Sequence, residues 1–188
     1  MYRKIKNLKE VLENHLIYLE TGNLAKRADL SDADLTGVNL AGVNLAGADL
    51  ADADLSAADL TGANLAGANL ADANLSHVNL SDVDLSHADL SDADLTGVNL
   101  AGANLADANL ICANLIRADL TGVNLSGVDL RHVDLTGANL TGANLTGAQI
   151  HYTLLDRTNL TGVNLAGVDL SHAYLIDTDL NCAEGLNG

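Results

Sequence analysis

The chain has no phenylalanine, no tryptophan and no proline, with one methionine and four tyrosines. The large aromatic pieces of an ordinary globular core are missing, although 48% of residues are apolar, nearly all of them Leu, Ala and Val. Cys112 and Cys182 are the only cysteines, too few for a disulfide scaffold and in keeping with a reducing cytoplasmic setting. No apolar run approaches the ~20 residues of a membrane span. Asn, Lys and Glu interrupt the N-terminus where a secretory apolar segment would lie. The expectation is a cytoplasmic protein without a membrane contact. Positive charge is nearly absent beyond residue 27: the rest of the chain holds 22 acids against Arg117, Arg131 and Arg157, whereas residues 1–27 hold six bases and three acids. Such a body repels nucleic acid and anionic lipid, so no direct nucleic-acid binding is expected and a basic protein partner suits it.

What is present is a repeat. Leu recurs at every fifth residue from Leu30 to Leu180, with Ile150 the single substitution. Taking that residue as i, position i−2 is small, mostly Ala or Val, and i−1 is Asp or Asn except at Gln149, Leu154 and Tyr174. Position i+1 is mostly Ser, Thr or Ala, and i+2 is most often Gly or Asp. A five-residue period walks around an α-helix and breaks the two-residue alternation of a long strand. It fits short extended pieces joined by turns, with i−2 and i inward and the turn-forming polar residues outward. One such unit buries too little to stand alone, so the units must stack.

Units such as Ala28-Asp29-Leu30-Ser31-Asp32, Ala63-Asn64-Leu65-Ala66-Gly67 and Ala138-Asn139-Leu140-Thr141-Gly142 resemble the A(D/N)LXX pentapeptide-repeat proteins. That resemblance implies an all-β solenoid, a right-handed quadrilateral β-helix with four units per square coil of 20 residues. Nearly eight coils would make a rod roughly 37 Å long at the interstrand spacing. The expected organisation is a capping helix and linker over 1–27, the β-helix over 28–183 and a tail over 184–188. Asn7 and Glu10 have capping-box spacing, Gly22 suits a helix C-terminus, and Ile5, Leu8, Leu12, Leu16 and Leu19 form the apolar stripe that would cover the first coil. His15, Leu19, Gly22 and Arg27 to Leu30 are similar to the leader helix of such arrays. After Leu180 the pattern dissolves, leaving an end that could pair with a second copy.

Residues 20 apart stack in this architecture. One column reads Asp32, Asp52, Asp72, Asp92, Cys112, His132, Tyr152, His172, and the neighbouring i−1 column adds Asp34, Asp54 and Asp94. The lower half is an acidic ridge that carries a cost in like-charge repulsion. The upper half gathers Ile116, Arg117, Arg131, His132, Tyr152, Leu154, Arg157, His172, Tyr174 and Ile176, with Ile111, His151 and Asp156 beside them. Exposed apolar residues among Tyr, Arg and His have the composition of an interface.

Catalytic residues, cofactors and metals are not expected. His77, Asp82 and His87 fall on three successive corners, and Cys112, His132, His151 and His172 form a line rather than a tetrahedron. Cys112 and Cys182 lie on opposite faces, too far apart to join. Two functions remain. One is a non-catalytic scaffold that binds a protein partner through the upper strip, or a second copy through the C-terminal end as a homodimer. The other is an acidic DNA mimic on a type II topoisomerase such as gyrase, since the resemblance extends to quinolone-resistance proteins of the family. Those often carry Phe at the central position and dimerise through a C-terminal helix, neither of which is found here. The uninterrupted array with a leader helix is more similar to cyanobacterial members.

Overall fold

The computed structural model describes residues 2–185. Every repeat unit from residue 28 onward solves the same local problem in the same way. The carbonyl of the central residue accepts a hydrogen bond from the amide three residues on, as Leu30 does from Ala33 at 3.1 Å. The i+2 residue of this turn has positive φ, between 55° and 73°, at thirty of the thirty-one positions from Asp32 to Cys182. A single left-handed residue at the third place of a turn marks type II geometry. Gly meets that demand freely and Asp tolerates it, which explains why those two dominate the column.

The i−1 residue is the rung. Asp49 N–H donates to the Ala28 carbonyl at 2.9 Å and Leu30 N–H to the Asp49 carbonyl at 2.7 Å, so residues 20 apart pair in parallel. Its side chain also works: Oδ1 accepts from the i+1 amide, as in Asn44 to Ala46 at 3.1 Å and Asn139 to Thr141 at 3.2 Å. This Asx contact is the reason i−1 is nearly always Asp or Asn, since their short side chains hold an acceptor close to their own backbone and Ser or Thr do so more weakly. At several rungs where Asn follows Asp or Asn one coil below, its amide donates downward, as Asn109 Nδ2 does to Asp89 Oδ1 at 3.0 Å. Repeated around four sides, these bonds build the right-handed quadrilateral β-helix. Central residues from Leu30 to Leu165 are at most 2% exposed and fill the tube together with the small i−2 residues.

The first coil is closed by α1, Leu8–Thr21. Asn7 Oδ1 accepts from Glu10 N–H and Gly22 adopts the left-handed conformation at the end, both as the sequence implies. The apolar stripe is different. Leu16 is 54% exposed, while Val11 packs on the core and His15 is fully buried. At about 100° per residue, position 15 lies roughly 20° from position 8 and position 16 roughly 80° from it, so the imidazole takes the inward place. Arg3 pairs in parallel with Ala33 beside the helix, completing the lid.

At the other end Leu170, Leu175 and Leu180 are only half-buried, because no described coil covers them. The repeat does not dissolve after Leu180. Ala183 N–H donates to the Leu180 carbonyl, and Glu184 pairs with Asn164 through bonds of 2.8 Å to Val163 and from Leu165. The expected tail, 184–188, therefore starts inside the last coil, since main-chain pairing does not require Leu at the centre. Gly185 takes that place, where an added Cβ would lie 2.5 Å from Ala166 N. Residues 186–188 of that tail lie outside the described residues.

Candidate interaction face

One lateral face of the prism, bounded by two corners, carries both sequence-predicted groups. Asp32, Asp52, Asp72 and Asp92 occupy i+2 positions of the first four coils and are exposed, each with φ of 55–58°. Among the described residues no side chain bonds to their carboxylates. Asp34, Asp54 and Asp94 are committed to their own turns. Asp54 Oδ1 accepts from the Ser56 amide, the Ser56 hydroxyl and Asn74 Nδ2, and Asp94 Oδ1 from the amide and hydroxyl of Thr96. Asp34 accepts from the Thr36 amide. The carboxylates without a side-chain partner are therefore the corner column of four, while the other three each lend one oxygen to a turn and keep their charge.

Above it the same face changes character. His132 and Tyr152 stack almost in parallel, ring centres 5.3 Å apart, and Tyr152 meets His172 at 5.9 Å. The stack follows directly from the left-handed turn, which aims i+2 side chains along the rod toward the next coil. The same aim places His77 over Gly97 and Asp82 over Gly102, where an added Cβ would lie 2.5 Å from Nδ1 and Oδ1 respectively. Leu154 and Tyr174 pair across coils on the flat of the face. Asp156 Oδ1 accepts from Ile176 N–H at 2.9 Å and ties the second corner. Ile111 and Ile116 are half-buried, whereas Tyr152, Tyr174 and Ile176 are 51%, 51% and 65% exposed. Arg117 and Arg157 stand exposed in left-handed turns at the far corner.

Charge in this upper half is mostly balanced. Arg131 Nε and Nη2 bond Asp129 at 2.6–3.0 Å, and that guanidinium holds the Asp129 carboxyl below its usual range. Arg131, His132, His151, Tyr152 and His172 line a shallow hollow of about 310 Å³. Sequence reasoning passed over Asp169, which stands beside it as an ordinary i−1 residue. Its Oδ2 is 3.4 Å from His151 Nε2. The Ser171 hydroxyl and amide, then the His151 imidazole, hold its carboxyl down at about 2. The signal that would have found it is a spacing of 18: an i−1 side chain reaches the i+1 residue one coil below, as Asn139 reaches Thr121 and Asn159 reaches Thr141. Cys112 and Cys182 are free and exposed.

These features define a closed-core repeat solenoid whose distinguishing chemistry is on one lateral surface. The model of the pentapeptide-repeat family matches in eight copies across residues 28–67, 53–92, 88–127, 124–162 and 154–184, and the chain belongs to that family. It is similar to HetL, a pentapeptide-repeat protein involved in heterocyst differentiation regulation in the cyanobacterium Nostoc sp. strain PCC 7120, at 31% identity over 88% of this chain and 92% of that one, with a TM-score of 0.36. It is similar to a pentapeptide-repeat protein of the Arabidopsis thaliana thylakoid lumen at 34% identity over 55% and 69%, with a TM-score of 0.36. Full-length QnrB1, a plasmid-mediated fluoroquinolone resistance protein, shares the fold at 20% identity over 77% and 90%, with a TM-score of 0.50. Among curated proteins none matches. No helix among the described residues is long and apolar enough to cross a membrane.

Proposed function

We propose that this chain is a non-catalytic scaffold that binds a protein through the upper half of its lateral face. The observation that carries the reading is the exposure of Tyr152, Tyr174 and Ile176 together on that face, where a repeat built for solubility alone would place Asp, Asn, Ser or Thr. The flanking Arg117 and Arg157 supply a rim of the opposite sign to the acidic body. The test is a comparison of partners retained by the wild-type chain and by a Tyr152→Ser/Tyr174→Ser/Ile176→Ser variant, each with an intact circular dichroism spectrum. A partner lost with the strip but retained by Asp32→Asn/Asp52→Asn/Asp72→Asn/Asp92→Asn supports the reading, and the reverse pattern overturns it.

A second reading, an acidic DNA mimic acting on a type II topoisomerase, is favoured by the four unpaired carboxylates stacked at one corner. A gyrase supercoiling assay at two salt concentrations tests it. Salt-sensitive inhibition that disappears in the four-Asn variant carries this reading, and no effect at micromolar protein removes it. The half-buried Leu170, Leu175 and Leu180 favour a homodimer through the C-terminal end, which the solution mass decides against the 19.4 kDa of one chain.

A further inference from the structure

We propose that His151, Asp169 and His172 form a binding site for a divalent transition ion of the zinc class, seated across the last two coils. The repeat pattern accounts for Asp169 at its i−1 place but demands no imidazole at 151 or 172, and the ligand atoms of all three lie within 4.8 Å of one another. Two ligand atoms on one tetrahedral zinc, each about 2.0–2.1 Å from it, sit roughly 3.4 Å apart. His151 Nε2 and Asp169 Oδ2, at 3.4 Å, already have that separation. His172 is exposed, its Nδ1 lies 2.9 Å from the Ser171 hydroxyl, and the proposal requires its ring to join the same sphere. Imidazole and carboxylate together suit zinc, copper and nickel, and three protein ligands leave the remaining position to water. Arg131, the nearest fixed cation lining the hollow, is neutralised by Asp129.

The backbone supplies an independent observation. His172 is the one i+2 residue outside the left-handed region. Tyr152 N–H donates to the His172 carbonyl, where the pattern of the other coils would send it to Ser171. The Gln149–Asp169 rung is missing, although the other three rungs between these coils form, Leu154 with Tyr174, Asn159 with Asp179 and Asn164 with Glu184. The only other lapse in the ladder among the described residues is Asp59 with Asn79, where both turns keep their left-handed residue. An ion held by His151 below and by Asp169 and His172 above would tie the two coils where the main chain does not. It would do so at the open end of the rod, where the central leucines are half-exposed.

The sequence argument against a metal placed Cys112, His132, His151 and His172 in a line and did not include Asp169. Asp169 changes the geometry because it approaches from the adjoining flat rather than along the corner. His172 also belongs to the proposed protein-binding strip, so the test is made on the isolated 188-residue chain, where partner binding plays no part.

Calorimetric titration with Zn²⁺ and absorption titration with Co²⁺ should each saturate at one ion per chain. Losing even an outer partner of a metal ligand weakens binding about 10–100-fold, so His151→Ala, His172→Ala and Asp169→Asn should each cost at least about tenfold. Asp169→Asn keeps the Oδ1 that accepts from the Ser171 amide, and His151→Gln and His172→Gln serve if either alanine variant loses its circular dichroism. A Cys112→Ser/Cys182→Ser chain should bind as the wild type does. Zn²⁺ should slow amide exchange over residues 168–184 in the wild type and not in the variants. Absence of saturable binding at one equivalent, or equal affinity in the His151→Ala/His172→Ala chain, overturns the proposal.

Discussion

His15 Nδ1 accepts the amide hydrogen of Ala28 at 3.0 Å, and this single bond joins the lid to the first residue of the first coil. The imidazole is fully buried, stacks on Tyr18 at 5.3 Å, and its Nε2 has no partner in hydrogen-bonding geometry. Accepting from an amide requires the neutral ring, because both nitrogens of a protonated imidazole are donors.

Burial holds the pKa of His15 below its ordinary 6.5, with the Ala46 carbonyl opposing that shift and the Arg27 charge adding to it. A base whose folded pKa is depressed binds fewer protons when folded, so its contribution to stability is complete above pH 6.5 and is lost as pH falls toward the folded value. The melting temperature should therefore drop more between pH 7 and pH 5 in the wild type than in His15→Gln. Protection of the Ala28 amide against exchange, relative to its intrinsic rate at each pH, should fall over the same interval. Parallel pH profiles for the two proteins would remove His15 as the cause.

Ala57 holds φ of 57° at a turn position that is Gly37 one coil below and Gly62 in the next unit along the chain. A left-handed conformation costs an L-residue roughly 1–2 kcal/mol that Gly does not bear. Ala57→Gly should accordingly raise stability by about 1 kcal/mol, a gain of about 2–4 °C in melting temperature for a chain of this size. The converse change, Gly97→Ala, adds the same strain and sets a methyl against His77 Nδ1. It should destabilise by more than Ala57→Gly stabilises, and equal effects of opposite sign would show that the His77 contact carries no weight.

Asn109 Nδ2 donates to Asp89 Oδ1, which also accepts from the amide and hydroxyl of Ser91. Asn109→Asp keeps the Asx acceptor but replaces the donor with a second carboxylate. The loss should be about 1–2 kcal/mol, partly recovered by salt, which screens like charges. Urea unfolding at low and high salt measures both quantities. The natural Asp34–Asp54 rung shows that the architecture survives such a pair.

Thr153 is fully buried at an i−2 position, and its hydroxyl donates to the Leu130 carbonyl at 2.7 Å. That carbonyl keeps its turn bond from Val133 N–H when the hydroxyl is removed. Thr153→Val leaves no orphaned group, and the expected change is within about 1 kcal/mol of the wild type. Leu155→Ala, one inward position further on, opens a cavity and should cost about 2–5 kcal/mol. Denaturant unfolding of the two variants separates core volume from hydrogen bonding as the source of stability.

The sequence by itself determined the coil. Leu at every fifth residue, small residues two before it and Asp or Asn one before it call for short extended pieces joined by turns and stacked on one another. The resemblance to the pentapeptide-repeat family implied four of them to a coil, and with that the corner columns were legible, since residues 20 apart then stack, as His132, Tyr152 and His172 do. What the tertiary structure decided lies between columns and at the ends. His15 rather than Leu16 faces the core because an α-helix turns by about 100° per residue, and the first coil presents an unpaired Ala28 amide for its ring. Asp169 reaches His151 because an i−1 side chain leans toward the corner one coil below, a diagonal that no period in the sequence displays. That Asp54 and Asp94 lend Oδ1 to their turns, and Asp54 also to Asn74 one coil above, was likewise visible only in the structure. Periodic sequence fixes which residues lie above one another, whereas the contacts across a corner depend on the direction in which each turn aims its side chain.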